Sequence, residues 1–136
     1  MSATASAGDE AAIRSVMSAY EAALNASSTE AAMPLYAEDG VFMAPNNQSA
    51  VGKAAVRQAY DAVFKAITLK VKFAIAEIVV MSPQWALVRT NSAGTQKINA
   101  TGSSSAEANQ ELFIFRKGDD GRWRIARYSF STTNPA

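Results

Sequence analysis

The stretch from Glu107 to Phe130, EANQELFIFRKGDDGRWRIARYSF, constrains the fold more than any other. Strand side chains alternate between faces. Asn109, Glu111, Phe113 and Phe115 therefore share one face, and Gln110, Leu112 and Ile114 the other. Both faces carry large apolar groups, which predicts a central strand covered on both sides. Lys117-Gly118-Asp119-Asp120-Gly121 is a turn, because Gly accepts positive φ and Asp bonds its own backbone. Beyond it, Trp123 and Ile125 face one way while Tyr128 and Phe130 fall on the Arg124/Ala126 face. That switch predicts a bulge, or a strand using both faces. The tail from Ser131 to Ala136 has no periodicity and is expected to be loose.

The elements upstream can be set against this hairpin. Ile13, Val16, Met17, Tyr20 and Leu24 recur at helical spacing, with Asp9 as the expected N-cap and the lead-in from Met1 to Gly8 expected to fray. Ser27 and Glu30 have the spacing of a capping box for a second, short helix, which Pro34 stops near Tyr36. Glu38-Asp39-Gly40 is expected to turn the chain into a short strand, Val41 to Met43, closed by Ala44-Pro45. Gly52 precedes a third helix carrying Val56, Tyr60, Val63, Phe64 and Ile67 on one face. Leu69, Val71, Phe73 and Ile75 then alternate as a half-buried strand, and Glu77 falls where the apolar face would continue. Trp85 to Ser92 and Thr95 to Ala100 read as strand, with a bulge at Gly94. Three helices followed mainly by strands make an α+β fold. A strongly curved antiparallel sheet wrapped on those helices leaves an internal cavity.

Composition narrows the chemistry. A chain of 136 residues is one domain, here residues 9–130, and buries roughly two-thirds of its unfolded surface without staples. It has no Cys and no His. Disulfides, thiol nucleophiles, imidazole or thiolate metal sites and Ser-His dyads are thereby excluded, so acid-base work falls to Asp, Glu, Tyr or Lys. A net charge of +1 carries no footprint for nucleic acid or an anionic membrane. No run approaches the ~20 apolar residues of a bilayer span, and the start lacks a signal-peptide pattern. The expected location is cytoplasmic. No nucleotide-binding fingerprint is present, and no cofactor or metal is expected.

The succession MSAYEAALNA, PLYAEDGVFMAP, VGKAAVRQAY, WALVRTNSAGT and ANQELFIFRKGDDGRWRIARYSF resembles the SnoaL-like branch of the nuclear-transport-factor-2-like superfamily. Ketosteroid isomerases and scytalone dehydratase share that fold. Within the branch the chain looks closest to the SgcJ/EcaC-type proteins. The resemblance implies a conical pocket for a hydrophobic small molecule and a homodimer through the sheet. On the family model Tyr128 and Phe130 are pocket walls, and Met17, Tyr36, Met43 and Phe113 are further expected ligand contacts; Asn109 shares the Glu111 strand face and is a polar group of the cavity if that face lines it. Steroid isomerases of this fold use an Asp base and an oxyanion hole of a Tyr and a protonated Asp. Tyr20 matches that Tyr, but the base position holds Ala44 and the second Asp position holds Phe113. The scytalone dehydratase pattern needs His, which is absent.

Each candidate has more than one reading. Tyr20 is a hydrogen-bond donor to a ligand carbonyl, or a core Tyr bonded to protein. Glu111 is the best available general base, its pKa raised by an apolar pocket, or half of an ion pair with Arg89 or Arg127. Arg89 clamps a ligand carboxylate, or pairs with Glu111 or Glu77, or faces a dimer partner. The functions in play are an apolar-ligand binder, an enzyme on a polycyclic or polyketide-like substrate (cyclase, isomerase or cofactor-free oxygenase), and an interaction module using the outer sheet face.

Overall fold

The computed structural model describes residues 3–134, so Met1, Ser2, Pro135 and Ala136 of the expected loose ends lie outside the described residues. Three helices, α1 (Ala3–Asn25), α2 (Thr29–Ala32) and α3 (Lys53–Ala66), cover one face of a six-stranded sheet. The strands are β1 (Tyr36–Met43), β2 (Ala50–Val51), β3 (Ile67–Val80), β4 (Trp85–Ile98), β5 (Ser104–Lys117) and β6 (Trp123–Thr132), in the spatial order β2-β1-β6-β5-β4-β3. The result is the expected α+β cone, with one difference in pairing. β1 runs parallel to β6, so the sheet is mixed rather than wholly antiparallel. The chain reaches β1 through a helical segment rather than a hairpin, and nothing then forces the antiparallel direction. Among the described residues no helix is long and apolar enough to cross a membrane.

Two bulges set which side chains reach the interior. In β6 the register against β5 slips between Ile114 and Phe115, whose partners are Arg127 and Ile125. Ala126 is the extra residue, so Ile125 and Tyr128 are both buried although they lie three apart. The expected change of face in β6 is this bulge. In β3 the slip falls between Ile75 and Glu77. It turns Glu77 outward and lets Ile78 and Val80 pack against the core. Gly94, expected to bulge, instead keeps regular pairing with Val71.

Other expectations shift. Helix α1 begins at Ala3, so Asp9 is interior to the helix. Its carboxylate accepts from Trp123 Nε1 at 3.0 Å and Lys117 Nζ at 3.3 Å, fastening α1 to the β5–β6 hairpin. Ser28, not Ser27, caps α2 by accepting from the backbone N–H of Ala31. Ser27 has φ 52° and ends the preceding turn. Glu30 is paired with Arg57 instead. Pro34 sits in a 3-10 turn, Met33–Leu35, that stops at Tyr36 as expected. Glu38-Asp39-Gly40 lies within β1 rather than forming a turn. Gly40 is required there by contact, since an added Cβ would meet Tyr36 Cδ2 at 2.9 Å and Ala37 O at 3.0 Å. Residues of the expected loose tail are tied down. Thr132 closes β6, and Asn134 Nδ2 donates to Ala106 O at 3.2 Å.

β3 is a sheet edge, and its inner end is covered by polar groups of α1. Asn25 donates to Val71 O at 2.9 Å and accepts from Val71 N at 2.8 Å, mimicking a neighbouring strand. Glu21 Oε1 accepts from Phe73 N at 2.6 Å. Unpaired edge backbone is thereby satisfied without exposing a template for another strand. The outer face of the sheet is less covered than expected. Leu112 on β5 is 43% exposed and Trp85 on β4 is 39% exposed.

Candidate functional site

The interior of the cone is aromatic. Phe113 and Tyr128 stack at 4.0 Å between ring centroids, and the Tyr20 ring meets both edge-on at 5.6 and 5.7 Å. These rings fill the space behind Tyr20 and Tyr128. In front of them remains a cavity of about 490 Å³. Helices supply Tyr20, Leu24, Tyr60 and Val63 to its wall, and β3 supplies Leu69, Val71 and Phe73. The end of β1 supplies Phe42, and Ala44 just beyond it joins the wall. The remaining wall is the polar inner face of β4 and β5, with Ser92, Asn109 and Glu111 at its heart.

Glu111 is 5% exposed. Its two oxygens accept from Thr90 Oγ1 at 2.6 Å and Ser92 Oγ at 2.5 Å. Register puts Thr90 directly opposite Glu111 on β4, and Ser92 follows on the same face. Burial pushes the Glu111 carboxyl above its ordinary value of 4.5, while the two hydroxyls pull the other way. The expected ion pair with Arg89 is absent, because Arg89 points to the outer face and pairs with Glu77. Arg127 is also outside, donating to the carbonyls of Asp39 and Ala126. Alternation of faces explains both cases. Arg89 is one residue from Thr90 on β4, and Arg127 one from Tyr128 on β6.

Three tyrosines form a hydroxyl chain. Tyr60 Oη lies 2.6 Å from Tyr20 Oη and 2.7 Å from Tyr36 Oη. All three residues are buried, and burial raises each phenol above its ordinary value, with neighbouring tyrosines adding to the effect at Tyr36 and Tyr60. Each hydroxyl has one proton to give. If Tyr20 donates into the cavity, Tyr60 is free to donate to Tyr20, and Tyr36 to Tyr60. Such chains polarise one another, which strengthens the terminal donor.

Of the residues singled out by sequence, the structure brings Tyr20, Asn109, Glu111, Tyr128 and Phe130 to the cavity wall. Met17, Tyr36, Met43 and Phe113 are not on that wall. Met17 and Phe113 are buried behind it in the core, and Tyr36 is joined to the site through the Tyr60 hydroxyl. Arg89 is excluded by its outward orientation. Sequence reasoning missed the roles of Tyr60, Thr90 and Ser92. Tyr60 was visible as a polar-tipped member of a buried helical stripe, as Tyr20 was. Thr90 and Ser92 carried no signal before the register was known. Among the described residues no three His, Cys, Asp or Glu side chains gather as metal ligands.

Comparison with known proteins agrees with this fold. The model of the SnoaL-like domain family matches residues 16–127. A ketosteroid isomerase-like protein from Erwinia carotovora atroseptica SCRI1043 superposes with a TM-score of 0.88 at 38% identity, covering 92% of this chain and 96% of that one. A nuclear transport factor 2-like superfamily protein from Salmonella enterica gives a TM-score of 0.82 at 16% identity, covering 98% of this chain and 96% of that one. A provisionally assigned scytalone dehydratase from Novosphingobium aromaticivorans gives 0.85 at 20% identity, covering 98% of this chain and 89% of that one. The latter two likenesses concern the fold alone. No functionally curated protein matches the chain.

Proposed function

The chain belongs to the SnoaL-like domain family, and from that premise we propose that it binds a hydrophobic small molecule in the cavity walled by Tyr20, Tyr60 and Glu111. The observation that carries this reading is the cavity itself, about 490 Å³ with apolar walls and a few convergent polar groups. The test is a fluorescence titration with 2-naphthol, a neutral two-ring probe. Wild-type protein is expected to bind it saturably at one site. Ala44→Phe, which places a ring in the cavity, is expected to abolish binding with an unchanged circular dichroism spectrum. Absence of saturable binding to wild type sinks the reading.

A second reading is favoured by one specific arrangement. Glu111 and Tyr20 line the same cavity, and burial raises the Glu111 carboxyl. In this reading Glu111 is a general base on a polycyclic or polyketide-like ketone. It takes a proton α to the carbonyl, and the enolate oxygen accepts a hydrogen bond from Tyr20. The test is deuterium uptake from heavy water into the α position of 2-tetralone. Exchange faster than buffer in wild type, lost in Glu111→Gln and reduced in Tyr20→Phe, supports it. Exchange unaffected by Glu111→Gln eliminates it.

The assembly and location proposed are a cytoplasmic homodimer that covers the outer sheet face. The exposed Leu112 and Trp85, with half-buried Ile114 and Leu87 between them in the ladder, support that arrangement.

A further inference from the structure

The polar wall of the cavity is one-sided in charge. Glu107, Asn109 and Glu111 alternate along β5 and so share its inner face, and both glutamates line the cavity. Among the described residues no Lys or Arg lines it. The strand-borne cations nearby point away. Lys70 and Lys72 alternate outward from Leu69, Val71 and Phe73 on β3, Lys97 follows the inward Gln96 on β4, and Arg127 is outside on β6. Among the described residues none of the ion pairs involves Glu107 or Glu111. Their hydrogen bonds come from neutral donors. Glu107 Oε1 accepts from Asn109 Nδ2 at 2.6 Å, and Glu111 accepts from Thr90 and Ser92. Among the described residues neither carboxylate is paired with a protein cation, and each has lone pairs to spare.

The rest of the wall suits an apolar body. Phe42, Tyr60, Tyr128 and Phe130 line the cavity and offer aromatic surface to a ligand's rings. We infer that the cavity selects a hydrophobic ammonium ligand, an apolar ring system bearing a protonated amine, whose charge meets the Glu107 and Glu111 carboxylates while its body lies against the aromatic wall. The inference rests on the reading of the cavity as a small-molecule site, and deepens it. A ligand carboxylate or phosphate would have to shed water beside two like charges, with no cation to replace it.

The experiment uses three probes with one ring body, 2-naphthylmethylamine, 2-naphthylmethanol and 2-naphthoate, titrated calorimetrically into the full chain near neutral pH and low salt. The amine is expected to bind tightest and the carboxylate weakest, the extremes differing by about tenfold or more. Glu107→Gln and Glu111→Gln are each expected to weaken the amine more than the alcohol. Glu107 is only half-buried, so its variant keeps the test open should Glu111→Gln fail to fold. An alcohol that matches the amine, or a carboxylate that binds as tightly, overturns the inference while leaving a small-molecule site standing. Failure of all three to bind overturns the small-molecule reading itself, and the ammonium inference with it.

Discussion

The hydroxyl of Tyr60 lies 2.6 Å from that of Tyr20, joining helix α3 to helix α1 inside the cone. Tyr60 is the middle of the chain, since Tyr36 Oη also reaches it at 2.7 Å. Tyr60→Phe keeps the ring and removes both bonds. Tyr36 is then left with a buried hydroxyl short of its partner at 2.7 Å, and a buried unsatisfied group costs about 1–3 kcal/mol. We expect Tyr60→Phe to lower unfolding free energy by that amount in urea titration. Tyr36→Phe, at the end of the chain, is expected to cost less, about 1 kcal/mol. Equal stability of Tyr60→Phe and wild type would mean that the hydroxyl chain contributes nothing.

Glu111 makes a prediction about pH. Burial raises its folded-state pKa above the ordinary 4.5, so over the window between the two values the native state holds the proton more tightly than the unfolded chain. Stability then falls as pH rises through that window. This contribution is most favourable below the unfolded-state value and becomes a constant penalty above the folded one. Glu111→Gln removes the titration. Its stability relative to wild type is therefore expected to improve as pH rises from the ordinary value of 4.5 through the raised folded-state value, as read by urea midpoints at several pH values. A relative stability that worsens with rising pH would show that the carboxylate is stabilised, not strained, by its surroundings.

The fold was readable because its signals are local. Alternation in β3, β4 and β5 and helical spacing in α1 and α3 predict which faces are inward, and the apolar switch between Ile125 and Tyr128 predicts a bulge. Cross-strand facts were not readable. The pairing of Thr90 and Ser92 with Glu111 depends on register, which periodicity leaves open by any even shift. The outward placement of Arg89, which separates it from Glu111, follows from parity once Val88 is known to be inward, yet its pairing with Glu77 needed the β3 bulge. Phe113, expected among the ligand contacts, is buried, but burial does not mean exposure to the cavity. Tyr20 and Tyr128 stand in front of it.

Gly94 separates two ways a strand can need glycine. It makes no bulge, but an added Cβ would lie 1.9 Å from Lys70 O and 2.8 Å from Val71 Cα. Backbone atoms of β3 cannot yield without parting the ladder. Gly94→Ala is expected to cost about 3 kcal/mol in urea unfolding. Gly102 offers the contrast, with φ +76° and nothing near its Cβ position. Gly102→Ala is expected to cost about 1 kcal/mol, the price of a left-handed backbone alone. A reversed order would mean that the sheet relaxes around the added methyl.

Leu112 tests the assembly independently of the cavity. It follows Glu111 on β5, so its side chain leaves the opposite face of the sheet, where it is 43% exposed in the single chain. Its row partners across the sheet are Arg89 and Ser129. If two copies meet on this face, Leu112 packs near the contact and Leu112→Glu buries an unpaired carboxylate there. Wild type is expected at twice the chain mass by light scattering at micromolar concentration, and Leu112→Glu at the mass of one chain. Because the substitution points away from Tyr20, Tyr60 and Glu111, 2-naphthol affinity is expected to stay within about twofold. A wild type that runs as a monomer rejects the dimer. A monomeric variant that also loses the probe would mean that the cavity depends on the partner copy to hold its shape.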